Sequence, residues 1–76
     1  MTTTNTTLIT ALIALVLNLP EGSVGADASM ETLPSWDSLA QLNICLAFQE
    51  RFGVVLDMET IAGSTSVSRL SALLPN

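Results

Sequence analysis

The amino-acid sequence predicts an all-α protein, a four-helix bundle with a long first loop and a short third helix. Three segments carry apolar side chains at three- and four-residue intervals, the spacing of one face of a helix. Gly, Pro, Ser and Asp residues lie between these segments, as they commonly do at helix ends and in loops. Because 76 residues are few for a domain, we expect a single domain over residues 1–76.

The first helix is predicted over residues 6–19. Residue types that favour helix capping occupy positions 5–7, and a run of leucines at helical spacing follows. A second apolar stripe, which includes Ile9 and Ile13, leaves this helix apolar on nearly all sides. Such a helix is typical of a buried core element, and the extra stripe is alternatively a surface that meets a partner.

A long loop and the clearest helix follow. Residues 20–35 are rich in Gly, Ser, Asp, Glu and Pro, and so long a loop is uncommon in a compact domain unless it is functional. The second helix is predicted over residues 38–52, with Gly53 placed to end it in the left-handed conformation. Ser38 and Gln41 match the Ser-x-x-Gln capping box, which makes Ser38 the predicted N-cap.

The third and fourth helices are predicted over residues 58–62 and 66–74. Asp57 is the expected cap of the third helix, and Gly63 ends it. Pro75 is expected to end the fourth helix. The apolar residues 54–56, between the second and third helices, have no strand to pair with. They are therefore predicted to form a connecting segment without regular structure.

The composition excludes several classes of function. Two basic residues against seven acidic ones give a net charge of −5, and nucleic-acid binding is not expected without clustered Lys and Arg. With no His and a single Cys, Cys45, the chain cannot form an internal disulfide, a zinc site of Cys and His, or a Ser–His or Cys–His nucleophile pair. We therefore expect a protein without catalytic residues or a metal site, which serves chemistry performed by other proteins.

The apolar run near the start is interpreted as a core helix rather than a targeting segment. It is shorter than the ~20 residues of a membrane-spanning helix. It also lacks the positively charged leading region of a signal peptide. We expect a cytoplasmic monomer with no stable membrane insertion.

The segment Trp36-Asp37-Ser38-Leu39 joins the long loop to the second helix. A serine at an exposed helix start is accessible to a modifying enzyme, and the unpaired backbone N–H groups there would stabilise an attached phosphate. Nothing in the chain could activate the hydroxyl, so the transfer must occur in the active site of another protein. The alternative is purely structural: Ser38 caps the helix, and Asp37 lies favourably at the positive end of the helix dipole.

The sequence from Asp27 to Leu74 resembles the acyl carrier proteins, here of the free-standing bacterial type, which bear 4′-phosphopantetheine on the serine of an Asp-Ser-Leu motif. The motif is present as Asp37-Ser38-Leu39 at the head of the second helix. The likeness continues through residues 48–54, Phe-Gln-Glu-Arg-Phe-Gly-Val, and the third and fourth helices follow at the expected distances.

The resemblance implies a carrier with a covalent arm. A phosphopantetheinyl transferase with Mg²⁺ would move the arm from coenzyme A to Ser38, with Asp37 and Leu39 completing the motif. Acyl-loading and acyl-processing enzymes would then act on thioesters at the terminal thiol of the arm. The expected lining of an acyl cavity is Ile44, Phe48, Leu56, Ile61, Val67 and Leu70. The expected partner-recognition residues are Trp36, Asp37, Leu42, Leu46 and Glu50, with Trp36 alternatively a hydrophobic staple of the helix start.

The second helix is less acidic than in the carriers of bacterial fatty-acid synthesis that the chain resembles. Ala40, Asn43 and Gln49 occupy positions that are often acidic there. We therefore expect a specialised carrier in a lipid, polyketide-like or other secondary pathway. Two alternatives stay open: a peptidyl or aminoacyl carrier with the same arm, and an unmodified helical adaptor that binds through its apolar first helix.

Overall fold

The computed structural model describes residues 2–74, and that part of the chain is helical. The helices are α1 Thr2–Leu17, α2 Ser38–Phe52, α3 Met58–Gly63 and α4 Val67–Ser71. Within residues 2–74 the β-structure amounts to one isolated antiparallel bridge, between Ser29 and Ser66. The predicted all-α class, with a long first loop and a short third helix, is confirmed.

The first helix differs from its prediction at both ends. It begins at Thr2, so residues 5–7 lie inside it, since the cost of threonine in a helix is only a few tenths of a kcal/mol. It ends at Leu17 because Asn18 adopts the left-handed conformation, with φ 57°. The N–H of the next residue then donates to the carbonyl of Ala14 at 2.8 Å, which completes a Schellman motif.

The start of α2 also corrects the sequence prediction. Asp37, not Ser38, is the N-cap: its backbone is extended, and its carboxylate accepts a hydrogen bond from the Ala40 N–H at 2.9 Å. Ser38 is therefore the first residue inside the helix. The predicted capping box does not form, because the side chain of Gln41 points into the protein and not back toward the helix start.

The two short helices are close to their predicted positions. The Asp57 carboxylate caps α3 by accepting from the Thr60 N–H at 2.7 Å, and Ser66 caps α4. The fourth helix ends at Ser71, three residues before its predicted end, because the chain tightens there into turns with hydrogen bonds between residues three apart. Pro75, the predicted terminator, lies outside the described residues.

The core forms where α1 packs on α2 and α4, with α3 against α2. Its fully enclosed large side chains come from the helices and from the end of the long loop: Ile9, Ile13, Trp36, Ile44, Phe48, Val67 and Leu70. The long loop contributes the buried Val24 and Ala28. Two backbone hydrogen bonds, Met30 N–H to Thr65 O and Val67 N–H to Ala28 O, fix the loop beside the start of α4. The loop is thereby held so that its last residues enter α2.

Candidate functional site

Ser38 lies exposed in the first turn of α2. The backbone N–H groups of Ser38 and Leu39 have no preceding helical carbonyl to pair with, as at any helix start. Within residues 2–74 the Ser38 hydroxyl has no hydrogen-bond partner, because the Asp37 carboxylate performs the capping. The position thus combines an accessible hydroxyl with the positive end of a fifteen-residue helix.

An open groove of about 410 Å³ lies beside Ser38, between α2 and α3. Its lining residues are Met30, Ser38, Gln41, Leu42, Met58, Ile61, Ala62 and Thr65. Most of these side chains are apolar, and Met58 is 76% exposed at the rim. A flexible group attached to Ser38 would have apolar surface within immediate reach.

The six predicted acyl-cavity residues differ in their exposure in the structure. Of the six, Ile61 lies on the groove beside Ser38, and Leu56 is half-buried. The other four are fully enclosed and pack against one another in the core: Ile44, Phe48, Val67 and Leu70. Their packing is that of core residues, and a role in lining an acyl cavity stays a prediction for these four.

Trp36 is enclosed, with 1% of its surface exposed. Its indole N–H donates to Gln41 Oε1 at 2.7 Å. The expectation that Trp36 contacts partner enzymes is therefore wrong, because no part of the ring is presented at the surface. Trp36 and Gln41 do occupy the two positions of a hydrophobic staple, just before the N-cap and in the first turn, but a hydrogen bond joins them.

Gln41 is a functional candidate that the sequence interpretation missed. It is 5% exposed, and its side-chain amide bridges α2 to the end of α3. Its Nε2 group donates to Ile61 O at 2.6 Å and to Ser64 O at 2.8 Å, and it also contacts Cys45 Sγ at 3.4 Å. With the indole donor on its Oε1 atom, the amide has partners for both of its N–H bonds and for its oxygen.

A helical-spacing signal could have revealed this role. Gln41 stands three, four and seven residues before Ile44, Cys45 and Phe48, which are all buried. That spacing places Gln41 on the buried face of α2. A polar side chain on a buried face must find hydrogen-bond partners, so its interpretation as a surface capping residue was inconsistent with its own periodicity.

The exposed face of α2 carries an apolar strip, which we define as Leu39, Leu42 and Leu46. These leucines are 68%, 41% and 51% exposed. Asp37 and Glu50, also exposed, flank the strip at its two ends. Apart from Trp36, all the predicted partner-recognition residues are therefore at the surface.

Among the residues that the structure describes, two titratable groups have shifted pKa values. Burial raises the pKa of the Cys45 thiol, so this side chain stays protonated and acts as a small apolar residue. Hydrogen bonding from Thr60 lowers the pKa of Asp57. Within residues 2–74, no three His, Cys, Asp or Glu side chains are grouped to hold a metal ion.

The adaptor hypothesis relied on the apolar first helix, and in the structure the apolar side chains of α1 lie on different faces. Ile9 and Ile13 have no exposed area and face the core, whereas Leu8 and Leu15 are 40% and 71% exposed. Across residues 2–74, none of the helices is both long and apolar enough to cross a membrane.

Comparison with protein families completes the description of the site. A family model described as "Phosphopantetheine attachment site" matches residues 7–74, almost the whole chain. Comparisons with curated proteins and with solved structures gave no significant match. The match covers the exposed serine, its Asp-Ser-Leu motif and all of α2, α3 and α4. The chain therefore belongs to the phosphopantetheine-attachment family, as a non-catalytic carrier that receives covalent 4′-phosphopantetheine from a phosphopantetheinyl transferase and serves pathway enzymes.

Proposed function

We propose that Ser38 bears the arm and that the protein carries acyl groups for a specialised lipid, polyketide-like or other secondary pathway. The observation that carries the proposal is the placement of the Ser38 hydroxyl. It is exposed in the first turn of α2, is not used as a helix cap, and opens onto an apolar groove. The Asp37 carboxylate satisfies the Ala40 N–H, so modification of Ser38 would leave the helix cap intact.

The residues around Ser38 suit a phosphodiester. Its negative charge would lie beside the unpaired N–H groups of the first turn of α2 and at the positive end of the helix dipole, an arrangement that stabilises anions. The proton on Ser38 Oγ must be removed in the active site of the transferase, since the chain has no His and the Asp37 carboxylate is engaged by the Ala40 N–H. When bound, the arm supplies a terminal thiol on which cargo is held as a thioester.

The character of the groove supports acyl rather than aminoacyl cargo. Leu42, Met58 and Ile61 line it with apolar side chains. Among the described residues, the groove lining contains no charged side chain that could pair with the ammonium group of an amino acid. Apolar contact is therefore the main interaction that the groove offers to a carried group.

The apolar strip supports a dedicated set of partner enzymes. Three exposed leucines dominate this face of α2, and the acidic groups lie at its ends, at Asp37 and Glu50. Recognition through such a face depends more on apolar contact than on attraction to a basic partner, so its affinity should respond weakly to salt. A carrier that serves many basic partner enzymes would need a more acidic helix.

The attachment site is tested by intact mass after incubation with coenzyme A, Mg²⁺ and a transferase of broad specificity. Wild-type protein should gain the mass of one phosphopantetheinyl group. Ser38→Ala should gain none, and Ser35→Ala, which alters an exposed serine three residues earlier, should be modified like the wild type. The proposal fails if the wild type gains no mass while a control carrier is modified, or if Ser38→Ala still gains the group.

Cargo class is tested on the same protein by supplying acyl and aminoacyl derivatives of coenzyme A to the transferase. We then compare how long each thioester survives on the carrier. Each survival time is divided by that of the same thioester on free coenzyme A, because aminoacyl thioesters hydrolyse faster than simple acyl thioesters on any carrier. A larger ratio for short apolar acyl groups than for aminoacyl groups of similar size supports the acyl assignment, and equal ratios would remove the argument from the groove.

A further inference from the structure

Gln41 stands between Ser38 and the interior of the bundle. The two residues are one helical turn apart on α2, and both line the groove. The next residues inward on this face, Ile44 and Cys45, have no exposed area. A chain that starts at Ser38 and follows α2 into the core must pass the Gln41 side chain.

The hydrogen bonds of Gln41 hold this passage closed. The amide joins the Trp36 indole N–H on one side to two backbone carbonyls, Ile61 O and Ser64 O, on the other. Separation of α2 from the end of α3 would break both bonds to these carbonyls together. It would leave the Gln41 N–H groups and the two carbonyls without these partners in an apolar environment, which is strongly unfavourable.

The region behind Gln41 is the enclosed apolar core of the bundle. Phe48, Val67 and Leu70 are fully enclosed and pack together there. Farther along α2, Gln49 Oε1 accepts a hydrogen bond from the Leu56 N–H at 2.7 Å. This second bond ties the connector before α3 to α2, two helical turns beyond the groove.

We propose that Gln41 determines the cargo specificity of this carrier by excluding acyl chains from the bundle core. The cargo then stays in the open groove beside Ser38, which suits short apolar acyl groups and not long unbranched chains. A long chain on this carrier would remain exposed to water and to partner enzymes. The inference rests on the proposed attachment of the arm at Ser38.

The test compares thioesters of increasing chain length on the intact protein. The transferase loads the arm directly from acetyl-, hexanoyl- or decanoyl-coenzyme A, and intact mass verifies each product. Hydroxylamine is then added: it forms a bond to the acyl carbon as the carbon–sulfur bond breaks, and the free thiol takes up a proton. A chain sheltered in the core reacts slowly, in proportion to the fraction of time it is exposed.

On the wild type, all three thioesters should react at the same rate. In Gln41→Ala and in Gln41→Met the decanoyl thioester should react about tenfold more slowly than the acetyl one, the protection expected when the chain is exposed for about one-tenth of the time. Gln49→Met is the matched control: it removes the other glutamine that ties α2 to the following segment, but it does not line the groove. Its thioesters should behave like those of the wild type.

Protection of the decanoyl thioester on the wild type would overturn the proposal. So would equal rates for the acetyl and decanoyl thioesters on folded Gln41 variants. Protection of the decanoyl thioester in Gln49→Met as large as in the Gln41 variants would also overturn it. Should neither Gln41 variant fold, as judged by circular dichroism, the wild type decides alone. Equal rates there support exclusion from the core, and protection refutes it. Failure of the attachment itself is visible earlier, as missing mass before any hydroxylamine is added, and the inference would then fall with the proposed function.

Discussion

Removal of the Trp36 indole N–H should destabilise the fold by about 2–4 kcal/mol. The donor lies 2.7 Å from Gln41 Oε1, and both side chains are buried. Trp36→Phe keeps an aromatic ring but leaves the Oε1 atom without its donor, which costs about 1–3 kcal/mol for a buried polar group. The smaller ring adds a cavity cost of about 1 kcal/mol. The total free energy of unfolding expected for a chain of 76 residues is about 4–11 kcal/mol, so this loss is a large part of it.

Urea denaturation followed by far-ultraviolet circular dichroism measures the effect. Fluorescence is unsuitable because Trp36 is the sole tryptophan. Val55→Ala serves as the control, since Val55 is 94% exposed and its truncation should change the free energy of unfolding by less than about 0.5 kcal/mol. A loss in Trp36→Phe no larger than in this control would contradict the assignment of the indole bond.

A double-mutant cycle isolates the bond itself. Gln41→Met leaves the Trp36 N–H unpaired, and in the Trp36→Phe background that penalty is absent. The combined loss should therefore be smaller than the sum of the single losses by about 1 kcal/mol, within the range seen for contacting residues. Additivity to within about 0.3–0.5 kcal/mol, as found for independent sites, would refute the reasoning.

Three further predictions concern individual side chains near the site. Asp37→Ala should lower the free energy of unfolding by about 0.5–2 kcal/mol as a lost N-cap, whereas Ser38→Ala should change it by less than about 0.5 kcal/mol; equal losses in urea denaturation would contradict the capping assignment. Because the pKa of Asp57 is lowered in the fold, its contribution is present above the unfolded pKa and is lost as pH falls through the folded pKa. Asp57→Asn should therefore reduce the dependence of the unfolding midpoint on pH in acid, and an unchanged acid profile would count against it. Cys45, buried and with a raised pKa, should react with a thiol reagent only at the rate of unfolding, and rapid labelling of the native protein would show otherwise.

Local patterns were sufficient to predict most of the helical organisation. The apolar spacing of α2 and the left-handed Gly53 at its end, with φ 68°, match the prediction. So does the Asp57 cap of α3. Each of these features depends on residues within a few positions of one another, and their physical causes are local: backbone sterics, capping hydrogen bonds and helical periodicity. The Asp-Ser-Leu motif is equally local, which is why the family of the chain could be predicted from its sequence.

Where the local sequence allowed two arrangements at the start of α2, the folded structure shows which one forms. Asp37 and Ser38 are both good capping residues, and in the folded chain Asp37 is the N-cap and directly follows the buried Trp36. Similarly, the side chain of Gln41 can fold back toward the start of α2 or extend into the interior of the protein. It extends inward because the indole N–H and two carbonyls from the α3 end need partners there.

The sequence by itself determined the approximate positions of the helices, the presence of a serine at the start of α2 and the family of the chain. The tertiary structure alone decided that Trp36 is enclosed, and that a bridged glutamine closes the path from Ser38 to the core. The physical reason is the range of the interactions. Ile61 O and Ser64 O lie twenty and twenty-three residues from Gln41 in the chain, and only folding brings such atoms within hydrogen-bond distance.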